Sequence, residues 1–323
     1  MTKDLSYLSY PLPPDIQRLF EAGDFDRMAR VIRQRLEDPR VPKTLHERLR
    51  FQLIIAKEIP EYYRLTQADM LAILQENIND FTEDELEALR DDGTLDWRYI
   101  NGEVHFRNNC LDALLKVRKE YALRAKDPEV QAAADARGQR LNAMITRMKE
   151  EGGMHVRFEL HEEMTVKSDR LTPGETLRIH LPLPVVGAQV KSAALLSTSH
   201  PAAFIAPADE PQRTVYFELP YEPGMTVSAE LAYEIEAPYC QPHAREVLAE
   251  QPTFDTEEMP PHVVFTPYLR ALAKEIVGDE TNPLLKARKI YDFITTQTVY
   301  RYMPPYLTVT NLPEYFMSGL RGD

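Results

Sequence analysis

The chain has only two cysteines, Cys110 and Cys240, one tryptophan and 12 glycines among 323 residues. Two distant thiols exclude a disulfide scaffold and a cysteine zinc site built within one chain. No stretch approaches 18 apolar residues, so no membrane-spanning helix is expected. The opening Met1-Thr2-Lys3-Asp4-Leu5 lacks the basic-then-apolar layout of a secretory signal, so a cytoplasmic location is expected. Walker A, GxGxxG, GxSxG and HExxH patterns are all missing. A net charge of −13 disfavours nucleic acid or an anionic membrane as partner. Hydrophobic residues make up 43% of the chain, enough for real cores. The length suits two or three domains.

Most of the net negative charge falls after residue 150, where glycine and proline use also changes. That places a boundary near Glu151-Gly152-Gly153. Residues 1–150 read as a helical domain. Pro13-Pro14 suits a helix start, and Phe25, Met28, Ala29, Ile32 and Leu36 share one helical face. Leu45, Leu49, Leu53 and Ala56 mark a third helix. Thr66 with Asp69, and Thr82 with Glu85, have the spacing of capping starts. The segment from Thr94 to Phe106 alternates around Asn101-Gly102, a hairpin signal because both turn residues need positive φ. Helix, hairpin and helix in that order allow a DNA-binding wing, but the acidic flanks favour a packing hairpin. Cys110 to Lys149 reads as one long or two medium helices, with Asp127-Pro128 as the dividing point.

From Met154 the apolar period drops to two. Short alternating runs continue to Ile235, with Pro173-Gly174 and Pro223-Gly224 as turns. An antiparallel β-sandwich over 154–236 is expected. Residues 237–261 read as a proline-rich linker. Helices return after Pro267, and Asn282-Pro283 is an N-cap followed by proline at the first helical position.

Several residues invite chemistry. His155, Glu159, His161 and Glu163 share a strand face, but strung over about 20 Å they suit a solvated surface better than a metal. The other histidines stand alone, and no metal site is expected. Cys110 opens a helix, where a dipole lowers a thiol pKa; a small buried hydrophobe is the default there. Cys240 has His243 three residues on, weak grounds for a dyad. Arg321-Gly322-Asp323 also reads as an adhesion tripeptide, a match that arises readily by chance.

One stretch carries a resemblance. Asn282-Pro283, Lys286-Ala287, Ile290-Tyr291 and Phe293-Ile294 are followed by Tyr300-Arg301-Tyr302 and then by Leu320-Arg321-Gly322-Asp323. This order and spacing resembles the bacterial transglutaminase-like superfamily. There a tyrosine-containing loop leads to a Gly-Asp-Cys signature whose cysteine is the nucleophile. The resemblance covers residues 262–323. Residues 154–236 also resemble the β-sandwich that often precedes this core.

An α+β multidomain protein is expected: an N-terminal all-α domain with a small β-hairpin and a central antiparallel β-sandwich, both read from residue patterns, and the helical start of a transglutaminase-like core, which comes from the resemblance. The resemblance implies acyl transfer through a thioester on a protein or peptide substrate, with no cofactor. The family's Cys, His and Asp would all lie beyond Asp323, so no catalytic residue is assigned within this chain, and residues 1–323 are expected to be inert. Arg321, Gly322 and Asp323 would flank the nucleophile, with Gly322 permitting a sharp turn and Asp323 able to cap the following helix. Tyr300, Tyr302 and Tyr306 would line a cleft, or else pack with their hydroxyls at the surface. The helices at 268–277 and 284–294 would lack a partner layer, so packing on another domain, self-association or partial disorder is expected. The alternative is a non-catalytic binding or scaffold protein that recognises protein or glycan through its helical and β-sandwich domains.

Overall fold

A computed structural model describes residues 6–167, 171–253, 256–300 and 309–322, apart from the side chain of Asp135. Helix accounts for 45% and strand for 23%, with small antiparallel sheets, which makes this an α+β protein. Two compact units divide it. One combines residues 1–137 with 242–323, and the other is residues 138–241.

The first unit begins with helices α1 (Pro14–Glu21), α2 (Phe25–Glu37) and α3 (His46–Tyr62). Ile16, Phe25, Met28, Ile32, Leu49, Ile55 and Ile59 recur at helical spacing and close into one core with Tyr63 and Ile100. Strand β1 (Leu65–Thr66) leads to α4 (Gln67–Asn77) and α5 (Glu83–Asp91). Both helices start at capping boxes: the Thr66 and Thr82 hydroxyls accept from the backbones of Asp69 and Glu85, whose carboxylates accept in return. Strands β2 (Trp97–Ile100) and β3 (Glu103–Phe106) form the expected hairpin, with Asn101 at φ 50° and Gly102 at φ 98°. β1 joins it, giving the order β1-β3-β2.

Gly23 sits against this hairpin. An added Cβ there would lie 1.9 Å from the Tyr99 carbonyl oxygen, and the Gly23 carbonyl accepts from Asn101 N at 2.7 Å. Short helices α6 (Cys110–Val117) and α7 (Lys119–Ala122) close a second core around Met70, Leu74, Leu86, Leu89, Phe106 and Leu114. Helix α8 (Pro128–Glu151) follows, and the boundary between the compact units falls inside it. The run from Cys110 is thus divided at Asp127-Pro128 and again at Arg118.

In the second unit, β4 (Gly153–Thr165), β5 (Thr176–Pro182), β6 (Val190–Thr198), β7 (Phe204–Ile205), β8 (Thr214–Pro220) and β9 (Thr226–Pro238) build two three-stranded antiparallel sheets. Their orders are β4-β9-β6 and β5-β8-β7. Ile179, Leu181, Val215 and Phe217 from one sheet share a core with Val227, Ala229 and Leu231 from the other. Alternation along each strand sends these residues to one face. β4 and β9 pair continuously from Thr165–Thr226 to Gly153–Pro238.

The chain re-enters the first unit through irregular residues that include one 3₁₀ turn, Ala244–Glu246. Helices α9 (Pro267–Val277) and α10 (Pro283–Gln297) lead to β10 (Val299–Tyr300), and α11 (Leu312–Gly319) leads to β11 (Arg321–Gly322). Among the described residues, no helix is long and apolar enough to cross a membrane.

Candidate functional site

The residues singled out by resemblance lie in the segment from α9 to β11. Each helix there has a local cause. Thr266 caps α9 by accepting from Leu269 N, and Pro267 occupies its first turn. Asn282 caps α10 more fully: its Oδ1 accepts from Leu284 N at 3.0 Å and Leu285 N at 3.3 Å, while its Nδ2 donates to Ala244 O at 2.9 Å.

Helix α11 is tied to the start of α9 by a polar network. Thr266 Oγ1 donates to Glu314 Oε1 at 2.9 Å, and Asn311 Nδ2 donates to Val264 O at 2.9 Å. Leu312 N donates to His262 O at 2.9 Å, and the Tyr268 hydroxyl donates to Met317 O at 3.1 Å. Asn311 and Glu314 were not evident from sequence. Asn311-Leu312-Pro313 repeats the Asn-then-proline logic of Asn282-Pro283 with one residue inserted, and that was the available signal.

At the end of α11, Leu320 adopts φ 50° and ψ 33°, a left-handed conformation uncommon for a branched residue. Its carbonyl accepts from Val299 N at 2.8 Å. The bend delivers Arg321 and Gly322 to a parallel pairing with Val299 and Tyr300. Gly322 is buried, and Tyr300 is half exposed at 51%. The Arg321 side chain runs beside Gly93, where an added Cβ would meet its Nε at 3.2 Å. The structure therefore brings Tyr300 together with Arg321 and Gly322. Tyr302, Tyr306 and Asp323 lie outside the described residues, as does Arg301.

The apolar faces of this segment are poorly covered. None of α9, α10 or α11 contains a buried residue. Tyr268, Leu285, Ile290, Tyr291 and Ile294 are all exposed.

Cys110 lacks the setting of a nucleophile. Cys110 is buried, and its Sγ donates to the Asp96 carbonyl at 3.4 Å. Burial, and next the nearby Asp96 carboxylate, push its thiol up to about 12. That outweighs any help from its place at the start of α6. Cys240 is exposed. On β4, exposed His161 lies 3.5 Å from Glu163 and 3.6 Å from Glu230 across the ladder, and His155 lies 3.6 Å from Glu234. Among the described residues, no three such side chains converge as metal ligands would.

No protein-family model matches the chain, no curated protein matches it, and no solved structure matches it.

Proposed function

We propose that this chain is the N-terminal, non-catalytic portion of a cytoplasmic transglutaminase-like thiol enzyme. In this reading residues 262–323 open the catalytic core, and the N-terminal helices and the central β-sandwich are accessory domains. The observation that carries the reading is the pairing of Val299-Tyr300 with Arg321-Gly322. It joins the tyrosine-containing stretch to the signature flank. The uncovered apolar faces of α9 and α10 support it, because such helices bury one face against another layer in a complete α+β core. Those faces are also where self-association of residues 1–323 would occur.

The chemistry follows from the expected nucleophile. A cysteine opening a helix after Gly322 and Asp323 would have its thiolate favoured by the helix dipole and free N–H groups. Attack on the carbonyl carbon of a glutamine side chain or peptide bond forms a thioester and releases ammonia or an amine. Water or a second amine then cleaves the thioester, giving hydrolysis or crosslinking. Within this chain Tyr300, half exposed, stands beside the signature strand. Gly322 supplies backbone without a side chain where the nucleophile would approach.

The test begins with the codons that follow Asp323 in the gene. The expected result is a cysteine codon directly after it, with histidine and aspartate codons downstream. The protein translated through them should release ammonia from a glutamine peptide or cleave a peptide bond. Loss of that cysteine should abolish turnover, while Cys110→Ala and Cys240→Ala should not. Turnover by residues 1–323 alone, abolished by either substitution, would overturn the proposal. A stop codon after Asp323 would favour a non-catalytic binding protein instead.

A further inference from the structure

We infer that a cavity in the first compact unit is a binding site for a small apolar carboxylate, with Arg48 as its anion receptor. The cavity has a volume of about 220 Å³. Among the described residues, Leu8, Phe51, Ile55 and Val309 supply apolar wall, and Arg48, His262 and Thr310 supply polar groups. The inference does not depend on the thiol-enzyme reading.

Arg48 is held from behind. Its Nε donates to Tyr10 O at 3.2 Å, and its Nη1 donates to Gln52 Oε1 at 2.9 Å. Gln52 is 1% exposed, with its Nε2 donating to Met28 Sδ at 3.7 Å inside the helical core. The guanidinium is therefore fixed by a side chain that has little freedom to move. Both N–H groups of Nη2 and one of Nη1 are left without a described partner, and no described carboxylate reaches Arg48. Burial lowers its pKa, with only Tyr7 acting in the opposite direction. An arginine taken partly out of water without a counter-ion is costly, and a bound carboxylate would repay that cost.

His262 adds a second polar group on a fixed frame. Its backbone N donates to Met259 O at 3.1 Å, and its carbonyl holds Leu312 N. Cavities with apolar walls and a few convergent polar groups are the usual form of small-molecule sites. One cation suits a monoanion better than a phosphate dianion, and the arginine fork matches the planar carboxylate. An apolar cavity of about 150 Å³ holds benzene. The larger space here suits an aromatic ring with a short acid arm.

The probe is 3-phenylpropanoate, titrated calorimetrically into residues 1–323 at fixed ionic strength, with 3-phenylpropanamide as the uncharged control. Saturable binding at one site per chain is expected, with the amide at least about tenfold weaker. Arg48→Met should weaken the acid at least about tenfold and erase its advantage over the amide. Thr310→Trp, at an exposed position on the cavity wall, should weaken both ligands with Arg48 intact. Inorganic phosphate should not compete. Equal affinity for acid and amide, efficient competition by phosphate, or no saturable binding at millimolar ligand would each overturn the inference. Should Arg48→Met fail to fold by circular dichroism, unchanged binding of the acid by Thr310→Trp would overturn it alone.

Discussion

Native Cys110 should be nearly silent toward thiol reagents while Cys240 reacts freely. Cys110 is held at about 12 against an ordinary 9.0, so at pH 8 its thiolate is about a thousandfold scarcer. A more basic thiolate is intrinsically more nucleophilic; with a Brønsted coefficient of about 0.4–0.5 this recovers about 15- to 30-fold. The net slowing from ionisation is then about 30- to 60-fold, and burial of the sulfur adds to it. Stopped-flow reaction with Ellman's reagent reads this directly. The native protein should release one equivalent of chromophore rapidly and the second slowly, with the slow phase accelerating as urea opens the helical core. Cys240→Ala should remove the fast phase, and Cys110→Ala should leave it intact. A native Cys110 that reacts within about threefold of Cys240 would refute the electrostatic and burial argument. It would also reopen the search for a nucleophile inside this chain.

Two other outcomes follow from the helical cores. Gly23→Ala should cost about 3 kcal/mol or more in urea unfolding, because positive φ and contact with the Tyr99 carbonyl act together. Gly102→Ala, with positive φ but open space around it, should cost about 1–2 kcal/mol. Equal losses would show that the close approach carries no energy. Glu85 accepts from Arg124, which lowers its pKa below the ordinary 4.5, and it also accepts from Thr82 N at 3.0 Å. A depressed carboxylate stabilises the fold above its unfolded pKa and loses that contribution as pH falls through the folded value. Glu85→Gln should therefore lower stability at pH 7, and its deficit against the parent chain should shrink below pH 4.5; a pH-independent deficit would count against the pairing.

Features specified by neighbouring residues were legible in the sequence. The capping boxes at Thr66 and Thr82, the hairpin at Asn101-Gly102 and the cap at Asn282 all act within four residues, and the structure has each of them. Strand alternation likewise marked the stretch from Met154 to Ile235 as strands, and β4 to β9 fall within it or close to its ends. What stayed hidden depends on distant partners. β1 is two residues long and exists only because β3 pairs with it. The parallel pairing of β10 with β11 needs a crossover that no local pattern announces. At the signature strand, resemblance pointed to Tyr300, Arg321 and Gly322, while the Thr266–Asn311–Glu314 network that holds α11 could only be seen in three dimensions. Arg48 gave no signal in the sequence, and His262 read as an isolated histidine, because the wall they share is assembled from opposite ends of the sequence.

The continuous β4–β9 ladder has a consequence for how the chain acquires its structure. It runs down to Gly153 and Pro238, and just past it Tyr239 N donates to Gly152 O at 2.9 Å. Residues 152 and 239, which bracket the ladder, are thus neighbours in space. Bringing together the ends of a flexible loop of about 100 residues costs roughly 4 kcal/mol in chain entropy. Once the ladder has formed, most of that cost is met within residues 152–239, and the chain after residue 239 is linked to helix α8 as though by a short tether. Prior folding of residues 152–239 should therefore speed assembly of the unit formed by residues 1–137 and 242–323, and a short flexible linker in their place should let that unit assemble as well.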